Sequence, residues 1–156
     1  MAKLLTQNLS KMNKLNYPTW LVPLYIAKEL REIGFREKTF TYFEINTDGE
    51  DRYFTPTDIN FKELQIYNRY RDYVSIPTWE QVFAWFRERG YLYAIENEIC
   101  YDFKTRTQPP KIKYTSYFET VGSGVKLHSC TSESYEEARE ELVKDLIDIY
   151  SEELLE

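Results

Sequence analysis

The last quarter of the chain carries the pattern that most restricts its fold. Ser134 and Glu137 are spaced as a capping box, in which each side chain can bond to the other residue's backbone N–H at a helix start. Apolar residues then recur at helical spacing and form one stripe, with acidic residues opposite. The stripe consists of Tyr135, Ala138, Leu142, Leu146 and Ile149, widened by Val143 and Tyr150. The segment therefore predicts a long amphipathic helix that buries its stripe against another layer.

An earlier segment, "VPLYIAKELREIGF" at residues 22–35, predicts a helix from the residues that start and stop it. Pro23 suits the first turn, where its missing N–H costs least. Gly34 suits the left-handed conformation that ends a helix, and Phe35 can then pack back on Leu30. The expected buried face holds Ile26, Ala27, Leu30 and Ile33.

Residues 76–91, "IPTWEQVFAWFRERGY", predict another helix in the same way. Thr78 and Gln81 form a second capping box, and Gly90 supplies the stop, after which Tyr91 can return onto the helix. The expected buried face holds Trp79, Val82, Phe83 and Phe86.

Trp85 lies off that face, about 120° around the helix axis from Trp79. Two interpretations are open. Either a neighbouring loop covers Trp85, or Trp85 and Arg89, one turn later and placed for a cation–π contact, form a protein-interface hot spot. On the second interpretation, Trp85→Ala costs partner binding more than folding stability.

Four segments show strand patterns. Residues 40–45 have the two-residue period of a strand and lead to Asp48 and Gly49, a strong hairpin signal, with a return strand at about residues 51–55. Apolar residues occupy odd positions from Tyr91 to Phe103, which predicts an amphipathic strand, bent or turned near Asn97. Further strands are expected in "IKYTSYFET" and, after a glycine turn, "VKLHSC".

Residues 57–75 are the least informative part of the chain. Asn60 and Glu63 fit the start of a short helix through Tyr67, whereas "YRDYVS" predicts extended chain. The element order favours an α+β fold: a single domain with a mostly antiparallel sheet of about four to five strands and about three helices on one side. We expect an irregular arm at residues 1–16, this domain at 17–150 and an acidic tail at 151–156.

Composition indicates a compartment and excludes a membrane role. The chain has two cysteines, too few for a disulfide framework, and no apolar run long enough for a signal peptide or a membrane span. We therefore expect a reduced, cytoplasmic protein. Residues 133–156 hold ten acids and two bases, a net charge of −8 within a total of −6.

Three segments, "AKELREIGF", "PTWEQVFAWFRERGY" and "SYEEAREELVKDLIDIY", resemble a class of small uncharacterised accessory proteins encoded by phages and prophages of anaerobic gut bacteria. The likeness spans residues 22–150. It implies a phage-borne accessory protein that acts in a bacterial cytoplasm. It implies no activity, cofactor or site residues.

No catalytic motif is present in the sequence. His128 with Cys130 and Cys100 lacks the paired spacing of a zinc site, and Glu96, Glu98 and Asp102 alternate on the polar side of a predicted strand. Phosphate-loop, dinucleotide, nucleophile-elbow and HExxH motifs are absent. We expect no enzyme activity, no catalytic residues, no metal and no cofactor.

Residues 103–118 combine basic and aromatic side chains, the chemistry of single-strand nucleic-acid binding. The candidate residues are Lys104, Arg106, Lys111, Lys113, Tyr114 and Tyr117. Against this, the four charges are few, the whole chain is acidic, and lysines also protect exposed strand edges.

The leading hypothesis is a non-enzymatic protein-interaction module that binds a host or phage protein or associates with a second copy of itself. The 14 tyrosines support it, because tyrosine is common at interfaces, although it is equally suited to half-buried strands. A nucleic-acid or nucleotide-binding regulator that uses residues 103–118 is the alternative.

Overall fold

The structure, a computed structural model, describes residues 18–45, 60–101 and 110–155. The helices are α1 (Leu24–Glu32), α2 (Trp79–Glu88) and α3 (Tyr135–Glu153), and a short 3-10 turn spans Tyr67–Arg69. The strands are β1 (Thr39–Glu44), β2 (Asn60–Gln65), β3 (Tyr73–Ser75), β4 (Tyr91–Cys100), β5 (Lys111–Thr120) and β6 (Leu127–Ser132). The chain divides into two compact units, Met1–Gln81 and Val82–Glu156, each with its own three-stranded antiparallel sheet.

In the first unit β1 is the central strand, in the order β2-β1-β3. The buried Asn68 holds this unit together, because its amide donates to the Phe35 carbonyl at 2.9 Å and accepts from the Ser75 N–H at 2.8 Å. α1 ends as predicted. Gly34 adopts φ 94°, and the N–H of Phe35 donates to the Leu30 carbonyl at 2.9 Å, the bond of a Schellman cap.

The sequence "PTW" occurs twice in the first unit, at residues 18–20 and 77–79, and the two copies lie side by side. Leu21, next to the first, forms an antiparallel bridge with Thr78 of the second, and the Trp79 indole donates to the Thr19 carbonyl at 3.0 Å. Only the second copy caps a helix. Thr78 and Gln81 each accept a bond from the other's backbone N–H, at 3.0 and 3.1 Å, so this capping box is confirmed.

In the second unit the strands form a meander in the order β4-β5-β6, with α3 packed along it. The start of α3 is capped as predicted, since Ser134 accepts a bond from the Glu137 N–H at 3.3 Å. The Glu137 carboxylate does not close the box. It accepts from Ser132 instead, whose hydroxyl accepts the Ser134 N–H. The buried face of α3 consists of Ala138, Leu142, Val143, Leu146 and Ile147, so Ile147 was missed and Tyr135 lies at the exposed margin.

The α+β class is confirmed, but the prediction of a sheet of four to five strands is wrong. β1 takes both its partners, β2 and β3, from residues 60–75, whereas β4 pairs only with β5 among the described strands. Element order does not reveal such pairings, because strands on either side of a helix can join one sheet or two. The predicted domain boundaries stay a prediction.

Residues 60–67 were expected to form a short helix and instead form β2 and the start of the 3-10 turn. Pairing with β1 supplies hydrogen bonds that override the local helix signal of Asn60 and Glu63. The extended prediction for residues 70–75 is confirmed at β3. The Asp48 and Gly49 hairpin, its return strand and the arm at residues 1–16 lie outside the described residues.

Candidate interaction surface

Trp85 lies in the core of the second unit, with 2% of its surface exposed. Its ring contacts Tyr150 of α3 edge-on, with centroids 5.2 Å apart. Arg89 covers the ring from outside, as predicted, with its guanidinium carbon 3.6 Å from the centroid. Trp85 lies on a second side of α2, and that side is buried by the helix α3 rather than by the loop that the first interpretation expected. A neighbouring segment therefore covers Trp85, and the ring is inaccessible to a partner in this structure.

The ring of Trp85 belongs to an aromatic cluster that includes Phe86, Tyr91 and Tyr150. Tyr91 returns onto Phe86 as predicted, with centroids 5.9 Å apart. Its hydroxyl donates to the Glu153 carboxylate at 2.5 Å. Burial raises the pKa of Tyr91 well above its ordinary value, and the hydrogen bond and charge of Glu153 raise it further. This cluster stabilises the unit and offers no open site.

Tyrosines of the first unit also pack on one another. Tyr42 and Tyr67 are stacked with centroids 4.4 Å apart, and Tyr73 meets both rings edge-on. Tyr42 and Tyr67 are buried, whereas Tyr70, at the end of this cluster, is largely exposed. Much of the tyrosine content therefore serves the interior, so tyrosine count alone does not identify an interface.

The fold separates His128 from Cys130. A register shift in the β5–β6 pairing places Ser116 opposite Cys130 but Tyr117 opposite His128. Since Ser116 and Tyr117 are consecutive, their partners lie on opposite faces of the sheet. Burial raises the pKa of the Cys130 thiol, and the acids of α3 add to this effect, so the thiolate is disfavoured.

The acidic candidates do not converge either. Glu96 is exposed and its carboxylate lies 2.6 Å from the Lys126 ammonium, while Glu98 lies opposite Lys113 in the β4–β5 register. Asp102 lies outside the described residues. Within residues 18–45, 60–101 and 110–155, no group of three or more His, Cys, Asp and Glu side chains is placed to hold a metal ion. None of the helices in those ranges is both long and apolar enough to cross a membrane.

The nucleic-acid candidates are distributed over two faces of the second sheet. Lys111, Lys113 and Tyr117 alternate on the face away from α3, whereas Tyr114 packs toward α3, with its ring 5.8 Å from that of Tyr135. The Lys111 ammonium lies 3.2 Å from the Glu133 carboxylate. Lys104 and Arg106 lie outside the described residues, so their part of the hypothesis stays a prediction.

An apolar surface that the sequence did not single out lies where the second sheet extends past the start of α3. On the side of β5 that faces α3, Phe118 and Ser116 are buried and Tyr114 is half-buried, but Ile112 is 46% exposed. Ile112 pairs directly with Ile99, which is 52% exposed. We call Ile99, Ile112, Tyr114 and Tyr135 the end patch.

Sequence periodicity placed Ile99 on the apolar side of a predicted strand, and this is the side of β4 that faces α3. No side was predicted for Ile112. Periodicity does not give the length over which a helix covers a strand, so the exposure of both residues could not be inferred.

β4 is an edge strand of this sheet. All ten of its residues are in register with β5, and no described strand pairs with its other edge. Ile99 therefore lies on the edge strand and Ile112 on the strand next to it, and both side chains are about half exposed. Compared with known proteins, the chain matches no family model, no curated protein and no solved structure.

Proposed function

We propose that this protein is a non-enzymatic interaction module, a phage-borne accessory protein that acts in a bacterial cytoplasm by binding another protein through the end patch. The observation that carries the proposal is the directly paired, half-exposed Ile99 and Ile112. The resemblance of three segments to phage accessory proteins supports the setting.

The exposed apolar area of the end patch favours its burial by a partner. Fully burying an isoleucine side chain is worth about 1.5–3 kcal/mol relative to leaving it exposed. Ile99 and Ile112 forgo about half of this in the isolated chain, and a partner that covers the end patch would recover it. The two tyrosines next to them add rings that bury large area while keeping a polar hydroxyl at the rim.

A heterologous partner is favoured over a second copy. Antiparallel pairing of two β4 strands about Asn97 would set Glu96 of one copy against Glu98 of the other, and like charges directly opposite destabilise a strand pair. The second unit also holds 15 acidic and nine basic residues, a net charge of −6, whereas residues 1–81 are neutral. This charge disfavours self-association and attracts a basic partner.

The test compares two matched double variants in affinity capture from bacterial cells that produce the protein. Ile99→Ser with Ile112→Ser removes the end patch, and Val121→Ser with Val125→Ser changes two exposed valines of the β5–β6 turn. We expect a stoichiometric partner that the wild type and the valine variant retain and the isoleucine variant loses. Equal capture by all three, or capture of none with a strictly monomeric mass, would contradict the proposal.

A further inference from the structure

Within the described residues, β4 lacks most of the devices that usually keep an edge strand from pairing. Edge strands are commonly short, bulged, or interrupted by proline. β4 is ten residues long, contains neither proline nor glycine, and pairs with β5 without a register shift, whereas the β5–β6 ladder is bulged. Its last seven residues, Ala94–Cys100, contain three consecutive exposed polar residues, Glu96, Asn97 and Glu98, followed by Ile99.

The acidic side chains of β4 oppose pairing of its free edge with some strands and favour pairing with others. Glu96 and Glu98 are two residues apart, so both side chains lie on the face away from α3. They repel a second β4 strand but attract a strand that carries basic side chains on the same face. The edge is therefore protected against its own copies and open to a basic partner.

β5 shows what kind of strand fits against β4. In the β4–β5 ladder Lys113 lies opposite Glu98, and Ile112 lies opposite Ile99. Basic and apolar residues alternate on β5 as "KIKY", which matches an acidic face and an apolar face on β4. A side chain on an edge strand has a neighbour on the paired strand and room for another neighbour on its unpaired side. A strand with the same alternation of basic and apolar residues as β5 therefore suits the unpaired side of β4.

We propose that the outer edge of β4 at Ala94–Cys100 accepts, as a fourth strand, an extended segment of another protein in which basic and apolar residues alternate. This inference rests on the proposed function and names the partner's chemistry. Basic side chains of the segment lie beside Glu96 and Glu98, and its apolar side chains extend the end patch beside Ile99. Backbone hydrogen bonds supply affinity, and the alternating side chains supply specificity.

The probe is a synthetic peptide with the sequence of residues 111–120, KIKYTSYFET, compared with the same peptide carrying glutamate at both lysine positions. Affinities are measured by fluorescence anisotropy with the whole chain, and backbone amide exchange of Ala94–Cys100 is followed with and without peptide. We expect the lysine peptide to bind at least tenfold more tightly than the glutamate peptide and to slow exchange of those amides. Slowed exchange elsewhere, or equal affinity of the two peptides, would overturn the inference.

Glu98→Lys and Glu152→Lys form a matched pair of variants, because both residues are exposed but Glu152 lies near the end of α3. We expect Glu98→Lys to weaken binding of the lysine peptide at least tenfold and Glu152→Lys to leave its affinity unchanged. Failure of the lysine peptide to bind, while capture still depends on Ile99 and Ile112, would overturn strand addition and leave the proposed function standing. Peptide binding without any patch-dependent capture would overturn the proposed function instead.

Discussion

The guanidinium carbon of Arg89 lies 3.6 Å from the centre of the Trp85 ring, and the same side chain donates a hydrogen bond to the Trp85 carbonyl at 2.9 Å. Arg89 is exposed, but the ring that it covers is buried. The pair therefore seals one side of the core of the second unit. Its contribution is to folding, and the docking surface that we propose, the end patch, lies elsewhere on that unit.

Trp85→Ala should destabilise the protein by about 3–5 kcal/mol, the usual cost of truncating a large buried aromatic residue. Arg89→Ala should cost about 1 kcal/mol, because a cation–π contact on a partly desolvated ring is worth about that much. Chemical denaturation gives both values. A Trp85→Ala protein of nearly wild-type stability would show that α3 does not cover this ring in solution.

Tyr91 makes the stability of the chain decrease at high pH. Its pKa in the folded protein is raised by burial and by Glu153, so above pH 10 the unfolded chain loses the Tyr91 proton while the folded protein retains it. The contribution of protonated Tyr91 to the free energy of unfolding is therefore fully present below the ordinary tyrosine pKa. Above that pKa the free energy of unfolding falls as pH rises, by about 1.4 kcal/mol per pH unit for one proton.

The measurement is the free energy of unfolding of the wild type and of Tyr91→Phe between pH 8 and pH 11.5, about the range in which an unfolded tyrosine titrates. The difference between the two proteins should be constant below pH 9.5 and should shift in favour of Tyr91→Phe above about pH 10. Parallel curves throughout would mean that Tyr91 titrates normally in the folded protein.

Asn68→Ala should destabilise the first unit by about 1–3 kcal/mol, because it leaves the buried Ser75 N–H without its acceptor. It also removes one of two donors to the Phe35 carbonyl, the other being the Arg36 guanidinium. Ser123→Ala is a suitable control, since Ser123 lies in an exposed turn. The measurement is the melting temperature of the wild type, of Asn68→Ala and of Ser123→Ala. Equal melting temperatures for Asn68→Ala and the control would argue against this hydrogen-bond network.

We expect no salt-sensitive binding of single-stranded oligonucleotides that depends on Lys104, Arg106, Lys111 and Lys113. Lys111 is paired with Glu133, Lys113 lies opposite Glu98, and Tyr114 packs on the other face, so the described part of this segment is not a continuous basic, aromatic groove. A gel shift that charge reversal of the four residues abolishes would instead favour the nucleic-acid alternative.

Local signals in the sequence predicted local structure well. The Thr78 and Gln81 capping box, the Schellman cap at Gly34 and the start of α3 at Ser134 all follow from residues within one or two turns of each other. β4 was also located from its alternation, although it runs through Asn97 without the bend or turn expected there. β5 coincides with the strand expected in "IKYTSYFET", and β6 begins and ends two residues after the expected "VKLHSC".

Features that depend on residues distant in sequence were not predictable. The burial of Trp85 depends on α3, which lies some 50 residues later in the chain. The pairing of β1 with residues 60–65 overrode a helix signal, and the register shift near Ser129 separated His128 from Cys130. The exposure of the end patch depends on where α3 begins relative to the ends of β4 and β5. The spacing of apolar residues in the sequence does not give this distance.

The central claim is that a protein partner covers the end patch. Hydroxyl-radical footprinting of the captured complex and of the free protein measures it directly, because the method reports the solvent access of individual side chains. We predict that labelling falls at Ile99, Ile112 and Tyr135 and stays constant at Val121 and Val125. Unchanged labelling of Ile99 and Ile112 in a stoichiometric complex would contradict the account.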